Sequence, residues 1–279
     1  MKDMMEKTRR LMELLGHDEV PFGVYYDDVK PDGYGPKPGE IFTREREETG
    51  QINWQNAWGT FSCIMGNIWL ARRKKKAAWI SHDECGCMGG GFYTGLYRPY
   101  LETNVAYVST GMPEAGMEGE HYLPSKECMR AFMNDVMPPE ATGKYCIFKP
   151  LDQFTESAPP LVVNFFARPE VISGLYTLTM FATGDYNSVE TPFAAGCSYL
   201  LSWPLVYQKK GQEKAVLGGF DISVRKFMKT DEMTFAIPLS LYLKMLGAME
   251  ESALTRHTWE GVRKKVAKSI KAWDSKNQE

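Results

Sequence analysis

The stretch Ser81-His82-Asp83-Glu84-Cys85-Gly86-Cys87-Met88-Gly89-Gly90-Gly91-Phe92-Tyr93-Thr94-Gly95 sets two thiols, an imidazole, two carboxylates and five glycines within fifteen residues. A core segment needs neither that much polar chemistry nor that much backbone freedom. Two kinds of chemistry fit it. Thiolates are soft anionic ligands for zinc or iron. A thiol can instead be a nucleophile, with Cys85 attacking, His82 as its base, Asp83 or Glu84 orienting that base, and amides from Gly86, Gly89 and Gly90 cradling an oxyanion or phosphate. A third reading has no chemistry: the glycine turn, Arg225 and the rings of Trp79, Phe92, Tyr93 and Tyr97 line a cleft for an anionic or planar ligand. The glycines match no dinucleotide or phosphate-loop fingerprint.

The chain of 279 residues is long enough for one large α/β domain or two lobes sharing a core. With 43% hydrophobic residues, 24% charged residues and a net charge of −2, it has no global basic field. A nucleic-acid or anionic-membrane partner is therefore not expected, and a small-molecule ligand or substrate is. No signal-peptide core opens the chain, and no run of about 18 apolar residues could span a bilayer. A cytoplasmic location follows as the expectation. The six cysteines, Cys63, Cys85, Cys87, Cys128, Cys146 and Cys197, would then be reduced thiols.

The elements that would position the thiols can be read in order. Residues 3–15 predict an amphipathic helix capped by Gly16, and residues 21–26 a strand, followed by a loop to about residue 50. A helix over 58–73 ends in Arg72-Arg73-Lys74-Lys75-Lys76, read as a solvated basic last turn. Strands are expected at 77–80, 105–109, 145–148, 161–166 and 215–222. Helices are expected at 126–137 behind the Ser125 cap, at 169–182, from Thr191-Pro192 through Cys197, at 239–251 and at 258–273. Cys128 and Cys146 read as buried packing residues, and Asp231-Glu232 as a cap.

The order of features recurs. Cys63 with Trp69 precedes a basic stop and the 77–80 strand; Cys197 with Trp203 precedes Lys209-Lys210 and the 215–222 strand. The cysteine-to-tryptophan offset is six residues in both (69 − 63 and 203 − 197). This predicts an internal duplication, with an α/β (or α+β) fold of two similar lobes, 1–150 and 151–279, carrying mixed sheets and flanking helices. Cys63 and Cys197 then occupy equivalent positions near helix starts, facing a shared cleft.

Across most of its length the chain resembles the prokaryotic family known as domain of unknown function 169. The resemblance is carried by Pro21-Phe22-Gly23-Val24, by Cys63 with Leu70-Ala71-Arg72, and by Cys85 with its glycine turn to Gly95-Leu96. It continues through Ala194-Ala195-Gly196-Cys197, Gly218-Gly219, Arg225-Lys226-Phe227, Asp231-Glu232-Met233 and Ile237-Pro238. It implies no activity, but it implies that Cys63, Cys85 and Cys197 are recurrent positions, while Cys87 has no assigned place in the pattern.

Together these features predict that Cys63, Cys85, Cys87 and Cys197 converge on an iron–sulfur cluster or zinc between the lobes, with Arg225 as an anion contact. The spacing includes no Cys-x-x-Cys knuckle, so it does not select between the two. If only Cys63, Cys85 and Cys197 coordinate, a cluster keeps one iron open for substrate. The metal-free nucleophile and the non-catalytic binding protein remain the alternatives, and a homo-oligomer is compatible with all three.

Overall fold

The computed structural model describes residues 1–276 apart from Pro38 and Thr60. Eight strands form one continuous mixed sheet: β1 (Phe22–Asp27), β2 (Gly33–Tyr34), β3 (Ala77–Ser81), β4 (Tyr145–Pro150), β5 (Val162–Ala167), β6 (Val189–Glu190), β7 (Ala215–Gly218) and β8 (Met233–Pro238), in the order β2-β3-β4-β1-β5-β8-β7-β6. Outward from the centre, the first four strands run 1-4-3-2 and the second four run 5-8-7-6. In both halves the two inner pairings are antiparallel and the outermost is parallel. The halves join through antiparallel β1 and β5, with Phe22 opposite Asn164, Gly23 opposite Val163 and Val24 opposite Val162. Glycine is required at the middle of this seam, because a Cβ on Gly23 would lie 2.5 Å from the Phe154 ring and 2.8 Å from Pro160.

Side chains alternate along the strands, so the sheet feeds two separate cores. Ala78, Ile80, Cys146, Phe148, Val162, Phe166 and Ala236 face one layer; Ala77, Trp79, Tyr145, Ile147, Val163, Phe165 and Ile237 face the other. The second layer is closed by α1 (Lys2–Leu15), α8 (Pro169–Thr183), α11 (Leu239–Ala248) and Trp259 of α12 (His257–Lys276). The first, which holds the cysteine loop, is closed by α3 (Trp54–Gly59), α4 (Ile64–Lys74), α5 (Met88–Tyr93), α6 (Glu102–Val108), α7 (Lys126–Asp135), α9 (Gly196–Leu200) and α10 (Ser202–Lys209). The short α2 (Arg44–Glu48) buries no residue of its own. Among the described residues no helix is long and apolar enough to cross a membrane.

The mixed sheet with flanking helices matches the expected class, but several local expectations do not hold. Residues 105–109 lie in and just after helix α6 rather than in a strand: Val105 and Ala106 are buried at helical spacing from Leu101. The segment 27–50 carries β2 and α2 inside what reads as loop, and the glycine turn after Cys87 is itself helical. Glycine lowers helix propensity, yet the close approach of the Tyr97 ring, 2.3 Å from where a Cβ on Gly91 would stand, leaves room for no side chain. Cys128 is exposed on α7, whereas Cys146 is buried on β4 as expected.

The basic run at the end of α4 hides a structural cation. Arg72 is only 8% exposed and grips two carboxylates: Glu19 just before β1, at 2.5 and 2.8 Å, and Glu232 just before β8, at 2.6 and 2.8 Å. Its guanidinium also lies 4.0 Å over the Phe166 ring of β5. Glu232 is therefore the buried partner of this ion pair and not a cap. The bidentate fork on each side offsets the desolvation that burial imposes. Arg72→Ala is expected to cost about 3–5 kcal/mol of unfolding free energy by taking the guanidinium from buried Glu232 and leaving only Lys229 at 4.0 Å. The neighbouring exposed Lys74→Ala should stay within about 0.5 kcal/mol, both read from urea denaturation.

Candidate functional site

The topological repeat places the cysteines. In the first half, α4 leads into β3 and the Cys85–Cys87 loop leaves it; in the second, α9 and α10 lead into β7 and the loop Gly219–Asp221 leaves it. Cys63 is the residue that begins α4, Cys87 begins α5, and Cys197 lies in the first turn of α9. Three helix starts from three stretches of chain thus bring a thiol each to one place. The loops are tied directly: Ser62 N–H donates to the Gly86 carbonyl at 2.8 Å, and a Cβ on Gly86 would stand 2.7 Å from Ser62 Cβ. Gly196, beside Cys197, approaches Met65 of α4 closely enough that a Cβ would lie 3.1 Å from its Cγ.

The electrostatics show which thiols share a space. Burial is the main cause that pushes Cys197 well above its ordinary value, and the charges of Cys87, Cys63 and Asp221 add to it. Cys87 is likewise pushed well up by burial, then by Cys63 and Cys85. Cys63 rises through burial, opposed by the amides of Met65 and Gly66 and assisted by Asp221. Cys63 and Cys87 thus oppose the ionisation of Cys197, and Cys63 and Cys85 that of Cys87. Gly90 N–H donates to the Cys87 sulfur at 3.3 Å, the contact that glycine in this turn permits. Tyr93, fully buried, feels Cys197, Cys87 and Asp221.

Cys85 adjoins Cys87, whose ionisation its charge also opposes. Its thiol donates to the Cys87 carbonyl at 3.0 Å, and burial pushes it up to about 11. The His82 imidazole is exposed, with Nδ1 at 3.1 Å from Asp83, and its ring is edge-on to Tyr97. Tyr97 links the two by backbone, donating its hydroxyl to the His82 carbonyl at 2.9 Å. The nucleophile reading joins Cys85 to His82; in the fold both side chains meet Tyr97, whose hydroxyl bonds with the Cys85 thiol and whose ring is edge-on to the exposed imidazole. Arg225, read as an anion contact, instead clasps its own loop, donating to the carbonyls of Gly219, Lys229, Thr230 and Glu232.

Asp221 is the site residue that sequence reading missed. Its carboxylate accepts from the Gly196 amide at 2.7 Å, capping the helix of Cys197, and from Ser223 N–H and Oγ at 2.9 and 2.7 Å. The repeat contained the signal, since Asp221 follows Gly218-Gly219 after β7 much as the Cys85 loop follows β3. Asn67, one helical turn from Cys63, is buried with no partner for its amide nitrogen. Among the described residues no group of three or more His, Cys, Asp or Glu is arranged to hold a metal ion. As placed, the sulfurs sense one another's charge without closing into a coordination shell.

A family model described as DUF169, uncharacterised ArCR, matches residues 10–248. The chain belongs to this family. The match spans both half-sheets and every cysteine of the cluster. No curated protein and no solved structure matches the chain.

Two outcomes follow from the thiol environments. At neutral pH iodoacetamide should modify exposed Cys128 at least about tenfold faster than Cys85, followed by peptide mass spectrometry, because a buried protonated thiol is a poor nucleophile. The Cys85 proton also links stability to pH. Its folded value of about 11 lies above the ordinary 9.0, so its contribution is complete below pH 9.0 and lost as pH rises through about 11. The urea midpoint should fall across that window, less steeply in Cys85→Ala. Separately, Gly86→Ala should cost about 1–3 kcal/mol by prising the Ser62 and Gly86 segments apart, measured by the same denaturation.

Proposed function

We propose that the protein is a cytoplasmic, small-molecule-handling protein that binds a thiophilic metal ion or an iron–sulfur centre through Cys63, Cys87 and Cys197. The observation that carries this reading is the gathering of three thiols from three helix starts into one buried region, where Cys63 and Cys87 oppose the ionisation of Cys197 and Cys63 opposes that of Cys87. Packing alone gives no reason for such a grouping. A bound cation replaces the thiol protons and turns mutual repulsion of thiolates into shared attraction, so metal binding and thiol deprotonation occur together.

The donor set fits a soft cation. Sulfur dominates, and amides at the helix starts of α4 and α5 favour the thiolate form. The unpartnered amide of Asn67 supplies a donor one turn from Cys63, of the kind that hydrogen-bonds to ligating sulfur. Rotation about each cysteine's χ1 moves the sulfur while the backbone stays fixed. Asp221 holds the helix of Cys197 in place through the Gly196 amide, and Cys85 braces the Cys87 carbonyl from behind. The metal or cluster would supply Lewis-acid or electron-transfer chemistry; the chain's own residues bind it, exclude water and position it beside Tyr93. The raised, buried thiols weigh against a metal-free nucleophile.

The test is elemental analysis with absorption spectroscopy on protein purified without oxygen. About one equivalent of zinc, or iron with a broad band at about 400 nm, is expected per chain. Cys63→Ser, Cys87→Ser and Cys197→Ser should each lose most of it, while Cys128→Ser retains it. Wild-type protein carrying neither iron nor zinc, and taking up neither on anaerobic reconstitution, overturns the reading.

A further inference from the structure

Lys30, Lys76, Lys214 and Lys244 each meet a carboxylate at 2.7–3.0 Å. Lys149 of β4 is set differently. It reaches into the layer on the sheet face turned away from the cysteines, partly exposed, with Nζ 4.5 Å from the centre of the Tyr25 ring and 4.6 Å from that of Phe154. The two rings meet at 70° with centroids 5.1 Å apart, so their faces form a corner around the amine. The sheet register builds this corner: Lys149 lies opposite Gly23, and the Phe154 ring fills the space where a side chain on Gly23 would stand. Among the described residues Nζ has one hydrogen bond, to the Tyr25 hydroxyl at 3.2 Å, and no carboxylate within 4.0 Å. The Tyr25 hydroxyl in turn donates to Asp27.

We propose that Lys149 is a nucleophilic amine that condenses with small aromatic aldehydes to form an imine held in the corner of Tyr25 and Phe154. The Nζ lone pair attacks the carbonyl carbon and a C–N bond forms. The carbonyl oxygen leaves as water with both hydrogens of the neutral amine, and a C=N bond remains, so no oxidant or reductant is consumed. Three features favour this step. Burial pulls the amine below the ordinary 10.5 against the charge of Asp27, which enlarges the neutral, nucleophilic fraction. The imine protonates to an iminium, and the ring faces that attract the ammonium attract this cation as well. An acyl group would abolish the charge and forfeit that contact, so the corner suits a carbonyl compound better than an acyl donor. The flat ring of an aromatic aldehyde also finds an aromatic face to pack on. None of this uses the proposed metal centre, which lies across the sheet.

The test treats the full chain with substoichiometric benzaldehyde and sodium cyanoborohydride, whose hydride reduces the iminium to a stable benzylamine, and maps the adducts by peptide mass spectrometry. At about pH 7 the adduct at Lys149 should exceed that at exposed Lys268 at least about fivefold. That lead should shrink as the pH is raised to about 11, where most lysine amines are neutral. Phe154→Leu, checked for folding by circular dichroism, removes one ring face and should lower capture at Lys149 by about threefold. Cys197→Ser, which removes a proposed metal ligand, should label as the wild type does, so this site stands or falls apart from the metal centre. Lys149 labelled no faster than Lys268, a lead that does not change with pH, indifference to Phe154→Leu in folded protein, or a loss in Cys197→Ser overturns the proposal.

Discussion

The site depends on the antiparallel pairing of β1 with β5. Only three residue pairs make this seam, yet it forces two half-sheets of the same topology to share one plane. Helices that lead into equivalent strands then lie on the same face. Cys63 and Cys197 belong to those helices, so the pairing at the sheet centre decides that they meet. Gly23, pressed between Phe154 and Pro160, is the residue at which the seam could least tolerate a side chain.

Arg72 gives the seam its lock. The guanidinium takes one carboxylate from the approach to β1 and another from the approach to β8, and rests on a β5 ring. Because α4 ends at this ion pair and starts at Cys63, the helix is anchored at the end far from the thiols. Its start can then be set by the Ser62 to Gly86 bond. The cysteine loop therefore inherits its position from charge burial some three helical turns away.

The α/β class, the outer helices and most strands were legible because their hydrophobic periods are strong and their caps conventional, as with α1 ending on Gly16 in the left-handed region. The recurrence of Cys-to-Trp spacing also pointed to two equivalent halves, and the strand order repeats accordingly. What stayed hidden were pairings over long sequence separation. Arg72 looked like one of five solvated cations because nothing local names Glu19 and Glu232 as its partners. Arg225 looked available to an anion because the carbonyls that satisfy it carry no side-chain signature. The glycine run read as a turn, since propensity cannot anticipate that Tyr97 would press against Gly91. The sequence sets Cys85, a recurrent position, above Cys87, but nothing local shows that the Cys85 thiol bonds to the Cys87 carbonyl.

The symmetry also shapes how this molecule meets others. Both margins of the sheet are finished by strands of only two residues, Gly33–Tyr34 and Val189–Glu190, each running parallel to its neighbour. Such short margins offer little ladder for another chain to extend. Lys214 further pins the second margin by pairing with Glu190 and Asp185. The sheet is accordingly a closed interior partition between two cores, with little margin left for another strand to join.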